Sequence, residues 1–283
     1  MNIADQKRYL IIHADDGGYD IQKNNAIISL FKHQRITSCS GMVPAPHFRD
    51  FAEQMRARPQ ADIGVHITLT NAFRSLEWKP VLPSENVPSL VDDRGCFHSK
   101  ADFSKHVQAV DIAREIRAQI KTFLASGLTP SHVDCHQGVV FQQDQFLIEY
   151  ATIAREFGLR PFLLRWNKFS QSMIAAQNLS LPENIVRGIT ARGPVLDSLI
   201  MLPQDGAPQS QREATYRMLF KALPPGLSKV IIHPEMPADN HQQDDASAIS
   251  RYADYTIFMH DNIHDFLNEN DILPVSWGEF PIK

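Results

Sequence analysis

The sequence predicts an α/β fold, a distorted (β/α) barrel with a mostly parallel sheet inside and helices outside. Three observations predict it. Short apolar runs alternate with longer segments of helical period, which is the order of repeated strand-helix units. The runs are apolar on both faces, as strands covered by helices must be. Polar residues far apart in sequence, Asp15, His66, His136, Arg165 and His233, all fall where such runs end, and one rim would gather them, which favours a barrel over an open sheet.

The elements follow in chain order. Tyr9 to Ala14 reads as a buried strand and Ile21 to His33 as the helix after it. Val43 ends a second strand, Phe48 to Arg58 is helical in period, and Asp62 to Thr70 alternates as a third strand. From about 71 to 103 the pattern fails among Pro80, Pro83 and Pro88 with Trp78 and Phe97, so a long loop inserted over a site is expected. Lys105 to Ala125 reads as a helix stopped by Gly127, with Ser131 to Cys135 as the next strand after Pro130. Gln143 to Phe157 leads to a strand at Arg160 to Arg165, and Gln211 to Leu223 leads to one at Lys229 to His233. One last helix, Ala246 to Asn268, precedes Ile272 to Trp277.

The 283 residues, 43% hydrophobic and 21% charged, can bury a large core, and with no repeat or linker the simplest reading is one domain over 1–283. A net charge of −4, with cations scattered among carboxylates, argues against a nucleic-acid partner. No apolar run approaches the roughly 18 residues that span a bilayer, and no secretory signal is visible at the start, so no membrane and a cytoplasmic location are expected. Cys39, Cys96 and Cys135 are odd in number and lack CxxC spacing, which suits a reducing compartment.

The chemistry concentrates in four places. Asp15-Asp16-Gly17-Gly18 puts adjacent carboxylates at a strand end; like charges that close are tolerated when a cation neutralises one and leaves the other a base, although an aspartate there can also simply cap a helix. His66 is a polar ring in an apolar strand, behind a glycine that lets a ligand or backbone approach; it is a metal ligand or a satisfied core histidine. On an extended strand His132, Asp134 and His136 share one face and Val133 and Cys135 the other, so His136 reaches a metal at the rim while His132 and Asp134 orient ligands from below; the alternative is a solvated edge strand. His233, fixed by Pro234, suits a general acid or a structural bond to its turn. Asp16, His66 and His136 as ligands to one divalent ion leave positions open for water and substrate, with Asp15 as base and His233 as acid. Mixed nitrogen and oxygen donors suit zinc and admit magnesium.

These motifs, in this order from about residue 9 to 235, resemble the YdjC-like carbohydrate deacetylases, a group that includes chitooligosaccharide and hopanoid-linked deacetylases. The resemblance implies a barrel like that of the NodB-type polysaccharide deacetylases, a zinc or magnesium ion, removal of an acetyl group from an N-acetylated mono- or oligosaccharide, and a homodimer. It carries over Asp16, His66 and His136 as ligands and Asp15 as base. Two positions depart from it: Gly17 stands where an aromatic residue or leucine is frequent, and Gln137-Gly138 stands where chitooligosaccharide deacetylases continue with histidines. Trp78 is a candidate sugar-stacking residue or a structural anchor, and Arg165 orients a site carboxylate or caps a strand. The rival readings are a metal-dependent phosphoesterase or other amidohydrolase on a similar barrel, and a non-catalytic sugar-binding relative.

Overall fold

The computed structural model describes residues 6–72, 76–191, 193–237 and 245–280; residues 73–75 of the long loop lie outside them. The first strand, β1 (Arg8–Gly17), is buried from Leu10 onward. Its period of two divides it: Leu10, Ile12 and Ala14 join the large core between sheet and helices, while Ile11 belongs to a second cluster with Phe162, Leu196, Leu227 and Trp277. Ile11, His13 and Asp15 therefore share the inner face. Then come α1 (Ile21–Lys32), capped by the Asp20 side chain, β2 (Ser38–Gly41), α2 (Phe48–Arg56) and β3 (Ile63–Ile67). After the loop follow α3 (Lys100–His106), α4 (Ala109–Ala125), β4 (His132–Cys135), α5 (Asp144–Glu156) and β5 (Arg160–Pro161). The chain ends with α6 (Lys168–Ala176), α7 (Glu183–Thr190), β6 (Ser198–Met201), α8 (Gln209–Lys221), β7 (Gly226–Ile232), α9 (Ala246–Met259), α10 (Asp261–Glu269) and β8 (Ile272–Pro274).

Every strand pair is parallel, in the order β5-β4-β3-β2-β1-β7-β6, with β8 beside the start of β1. The two edges meet at one bridge between Leu164 and Leu196, where the Leu196 N–H donates to Leu163 O at 2.9 Å and the Arg165 N–H to Leu196 O at 2.8 Å. The sheet is thus a curled, barely closed barrel, distorted as expected. Among the described residues no helix is long and apolar enough to cross a membrane, and all three cysteines are free.

Several boundaries differ from the sequence expectations. The strand expected over 160–165 keeps only two residues and the bridge at Leu164, although the Arg160 and Phe162 N–H groups both donate to the β4 side. The helix expected from Lys105 divides at Val107 and Gln108, both extended, where the Gln108 N–H donates to Ser89 Oγ at 3.0 Å in the loop. The helix expected from Ala246 to Asn268 breaks at His260 (ψ 148°). An unbroken helix would put Asp261 and Asn262 on the face of Ile257 and Phe258; the break re-aims Ile263, Phe266 and Leu267 into the core. Helices α6 and α7 and strand β6 occupy a stretch for which the sequence raised no expectation.

Gly64 is required by a neighbour across the sheet rather than by a ligand. It pairs with His132, and a Cβ built there would lie 2.3 Å from His132 Nε2. That ring cannot withdraw, because Trp277 stacks on it at 5.2 Å. Gly64→Ala is therefore expected to destabilise the protein by about 1–3 kcal/mol as overpacking, read as a lower denaturant midpoint. Adding His132→Ala should recover part of that loss, and purely additive losses would show that the ring is not the obstacle.

Candidate active site

Adjacent strand residues point to opposite faces, so a carboxylate pair aimed at one place requires an irregular backbone. The pairing of β1 with β2 shifts register between Ala14 and Gly17, and Asp16 has φ 68°, in the left-handed region that few non-glycine residues occupy. This bulge turns both Asp15 and Asp16 onto the rim. Gly17 beside them is obligatory: a Cβ there would lie 2.5 Å from the Phe51 ring and 2.8 Å from Ser40 O. Asn24 anchors the turn by accepting from the Gly18 N–H at 2.7 Å and donating to Asp50 Oδ2 at 2.7 Å.

Asp16 Oδ1 lies 3.6 Å from His66 Nε2 and 3.4 Å from His136 Nδ1, and one ligand atom from each of the three falls within 4.8 Å of the others. All three side chains are buried. Asp16 Oδ1 and His136 Nε2 have no hydrogen-bond partner, which is costly unless a ligand engages them. Burial alone would raise the Asp16 carboxyl; His136, His233 and Arg251 outweigh it and hold it well below the usual carboxylate range. Burial would lower the His66 imidazole, but Asp15, Asp134 and Asp16 prevail and raise it to about 9. Such a set of donors could hold a divalent cation.

Beneath them the inward face of the barrel is polar. Asp134 Oδ1 is 2.8 Å from His66 Nδ1, and its Oδ2 accepts from Lys229 Nζ at 2.9 Å and lies 2.9 Å from His13 Nε2. His13 Nε2 is also 3.0 Å from Asp15 Oδ1, and Ser40 Oγ lies 3.1 Å from both His13 Nε2 and His66 Nδ1. Desolvation acts to raise the Asp15 carboxyl, against which His66, His13 and Lys229 prevail and lower it. His132 is deeper, T-shaped against His13 at 5.2 Å, with Ser131 Oγ and Asp62 Oδ1 at 2.8 and 3.4 Å from its Nδ1. It touches no member of the Asp16 trio among the contacts described.

His233 follows β7 with Nε2 4.0 Å from Asp15 Oδ2, and its N–H donates to Asp254 Oδ2 at 3.2 Å. Burial lowers its imidazole despite Asp16 and Asp15. Trp78 is only 5% exposed; its indole lies edge-on to Tyr19 at 5.0 Å and 5.9 Å from the His136 ring, so it packs behind these two rings as an anchor. Arg165 is not brought to the site: it is largely exposed and pairs with Asp197, Nε to Oδ1 at 2.6 Å.

Residues 9–269 match the family described as YdjC-like protein. The chain belongs to the YdjC-like family. It is 37% identical over 151 residues to a carbohydrate deacetylase of Enterococcus faecalis, covering 53% of this chain and 56% of that one. A carbohydrate deacetylase of Geobacillus stearothermophilus is 33% identical over 47% of this chain and 50% of its own. These alignments span about half the length of the curated relatives; one of Thermus thermophilus covers 96% of this chain and 93% of its own at 27% identity. A solved Enterococcus faecalis structure, of a protein whose name suggests cellobiose-phosphate cleavage, superposes with TM-score 0.79 at 24% identity over 96% of this chain and 98% of that one, and so shares the fold.

The sequence reading of this YdjC-like protein missed His13, Lys229, Ser40 and Arg251. His13 and Lys229 were reachable, since each stands an even number of residues before a recognised rim residue, Asp15 or His233, and so shares its face. Arg251, with Nη1 3.5 Å from Asp16 Oδ2 and 3.9 Å from Glu235 Oε2, comes from α9 and left no strand-end signal. Above the cluster opens a cavity of about 1090 Å³, lined by Asp15, Asp16, His66, His136, His233 and Arg251 at one end.

Two outcomes test the electrostatics. Asp134→Leu strands the buried Lys229 ammonium and is expected to cost about 3–5 kcal/mol in chemical denaturation; the double variant with Lys229→Met should regain much of it, and no recovery would show that the pair is not the cause. Asp62 is held at about 2, because His132, Ser131 and the Gly278 N–H outweigh its burial. Its folded value lies below the ordinary 3.8, so its stabilisation is present above that pH and lost as pH falls toward 2. The stability gap between wild type and Asp62→Asn should narrow across that window, and a constant gap would contradict the assignment.

Proposed function

We propose that this protein is a hydrolase that removes the acetyl group from an N-acetylated mono- or oligosaccharide, with one zinc or magnesium ion held by Asp16, His66 and His136. The supporting observation is the buried trio itself, with unpartnered Asp16 Oδ1 and His136 Nε2 at one end of a large cavity. Such an ion would supply Lewis acidity toward the acyl oxygen.

The chain's own residues do the rest. Asp15 takes the proton from the attacking water; its carboxyl is ionised at neutral pH and His13 at 3.0 Å orients it. His233 lies 4.0 Å from Asp15 Oδ2, beyond direct transfer, and in its protonated form donates to the departing nitrogen; the proton held by Asp15 returns to it through solvent after the products leave. Asp134 fixes His66 through Nδ1 and so aims Nε2 toward Asp16. The reading takes the chain as one domain, cytoplasmic, and paired as a homodimer as the family resemblance implies.

The test is acetate release from mono- to tetrameric N-acetylated sugars, after chelation and after return of one equivalent of zinc or magnesium. Metal-dependent acetate is expected, with Asp15→Asn lowering kcat by about 10²–10⁴-fold while still binding metal, and Asp16→Ala failing to bind it. Metal bound without acetate from any sugar would defeat the deacetylase reading in favour of a phosphoesterase or a binding protein.

A further inference from the structure

Gln204, in the loop after β6, lines the same cavity as His233, Ser247 and Arg251, yet its side chain bonds to nothing. Its amide nitrogen and oxygen are both buried and without hydrogen-bond partners, and among the described residues no other carboxamide has both atoms in that state. Such a group gives up the solvation of a donor and an acceptor at once and recovers neither. A long flexible side chain in a loop would ordinarily turn its amide to water. The backbone around it is not loose. Pro203 O accepts from Arg212 Nη1 at 2.6 Å, and the Gly206 N–H donates to Ser250 Oγ at 2.9 Å. Arg212 is buried against Asp254, Nη2 to Oδ1 at 2.7 Å, and Asp254 Oδ2 accepts from the His233 N–H. Both sides of Gln204 are thus tied to the turn that carries His233 and to α9, which carries Ser247 and Arg251. Asp16 Oδ1 and His136 Nε2, at the cluster itself, share the condition of being buried and unpartnered.

We propose that Gln204 determines which sugar is accepted, by exchanging hydrogen bonds with the vicinal hydroxyls O3 and O4 of the acetylated residue. The identity of the sugar rests on the deacetylase reading above; the role of Gln204 rests on its orphaned amide. A carboxamide presents a donor and an acceptor side by side, and two hydroxyls on adjacent carbons present the complement. In a 2-acetamido-2-deoxyhexose joined to its aglycone at C1, the acetamido group goes to the Asp16 cluster, O5 lies in the ring and O6 stands alone. O3 and O4 are the vicinal pair that remains, and O3 sits beside the carbon that carries the reacting nitrogen. Because the backbone of Gln204 is already held, little ordering is left for the moment of binding. The amide thereby lowers the stability of the ligand-free protein and returns it as selectivity, since a ligand lacking either hydroxyl leaves part of the amide unpaired.

Calorimetric titration of the full chain carrying zinc, with Asp15→Asn to arrest turnover, compares methyl 2-acetamido-2-deoxy-β-glucopyranoside with its 3-deoxy and 4-deoxy analogues. Each analogue should bind about tenfold or more weakly than the parent sugar. Adding Gln204→Met should bring the three sugars to within about twofold of one another, because no amide is then left to discriminate. In the otherwise wild-type chain without sugar, Gln204→Met should raise the denaturant midpoint, since an apolar side chain of similar length replaces an unpaired buried amide. Equal affinity of the three sugars before Gln204 is changed, a ratio that decides without that variant, would overturn the proposal. So would a deoxy penalty that Gln204→Met retains, or a lowered midpoint, the mark of a structural bond. Acetate release by wild type is read separately: a deoxy penalty without acetate would refute the deacetylase reading and leave the hydroxyl site standing, whereas acetate with no deoxy penalty would do the reverse. Absence of binding by all three sugars would overturn both.

Discussion

Asp134 has its two oxygens engaged by three buried groups, Lys229, His13 and His66, and the arrangement of the site follows from that engagement. A carboxylate in a barrel interior is too costly to keep ionised without such partners, and the ammonium of Lys229, itself fully buried, has the same need. Each satisfies the other, and Lys229 further faces the Phe162 ring at 5.0 Å. Because the strands carrying these residues are β1, β3, β4 and β7, the interaction ties together four of the parallel strands from inside. With its Nδ1 side occupied by Asp134, His66 has only Nε2 to present to Asp16.

The pair Asp15 and Asp16 then acquires two different environments from one local distortion. The left-handed backbone at Asp16 costs on the order of 1–3 kcal/mol, and its surroundings over-determine it: Asn24 fixes the turn beyond, and the Phe51 ring fills the space that only glycine leaves at Gly17. Asp15 faces downward to His13 and sideways to His233, whereas Asp16 meets His66, His136 and Arg251. Neighbouring carboxylates thereby acquire different partners, as the proposed division between proton transfer at Asp15 and cation binding at Asp16 requires.

Much of this was legible because period two is a strong signal in buried strands. Alternation placed His132, Asp134 and His136 on one face, and the inner cluster confirms that face by excluding Val133 and Cys135, which belong to the outer core. Strand ends alone predicted that Asp15, His66, His136, Arg165 and His233 gather on one rim; the first three and His233 line one cavity, whereas Arg165 turns outward to Asp197. What alternation could not say is how deep a residue sits. His132 was expected to orient a ligand and instead packs between His13 and Trp277 at the bottom of the barrel. Helix contributions were illegible for a related reason: Arg251 reaches the site from a helix face, and a basic residue on a helix is ordinarily solvated. The break at His260 was missed because both halves have helical period and only their phase differs.

The least legible segments are the two that interrupt the strand-helix rhythm, and they bear on the same place. Residues 76–99 are tied down by buried carboxylates of α4, Glu115 accepting from the Val81 and Leu82 N–H groups and Asp111 from Ser89, and they deliver Trp78 against His136. Burial raises the Glu115 carboxyl even so, a cost retained because those N–H groups have no strand to pair with. Helices α6 and α7 line the same cavity with Met173, Ile174, Val186 and Ile189 together with Ser170 and Thr190. The parallel strands must keep their inner faces to hold the charged cluster, so variation in what is bound falls to segments outside the barrel. On the proposed function, the rim would hold the reacting bond while the two insertions would shape what surrounds it.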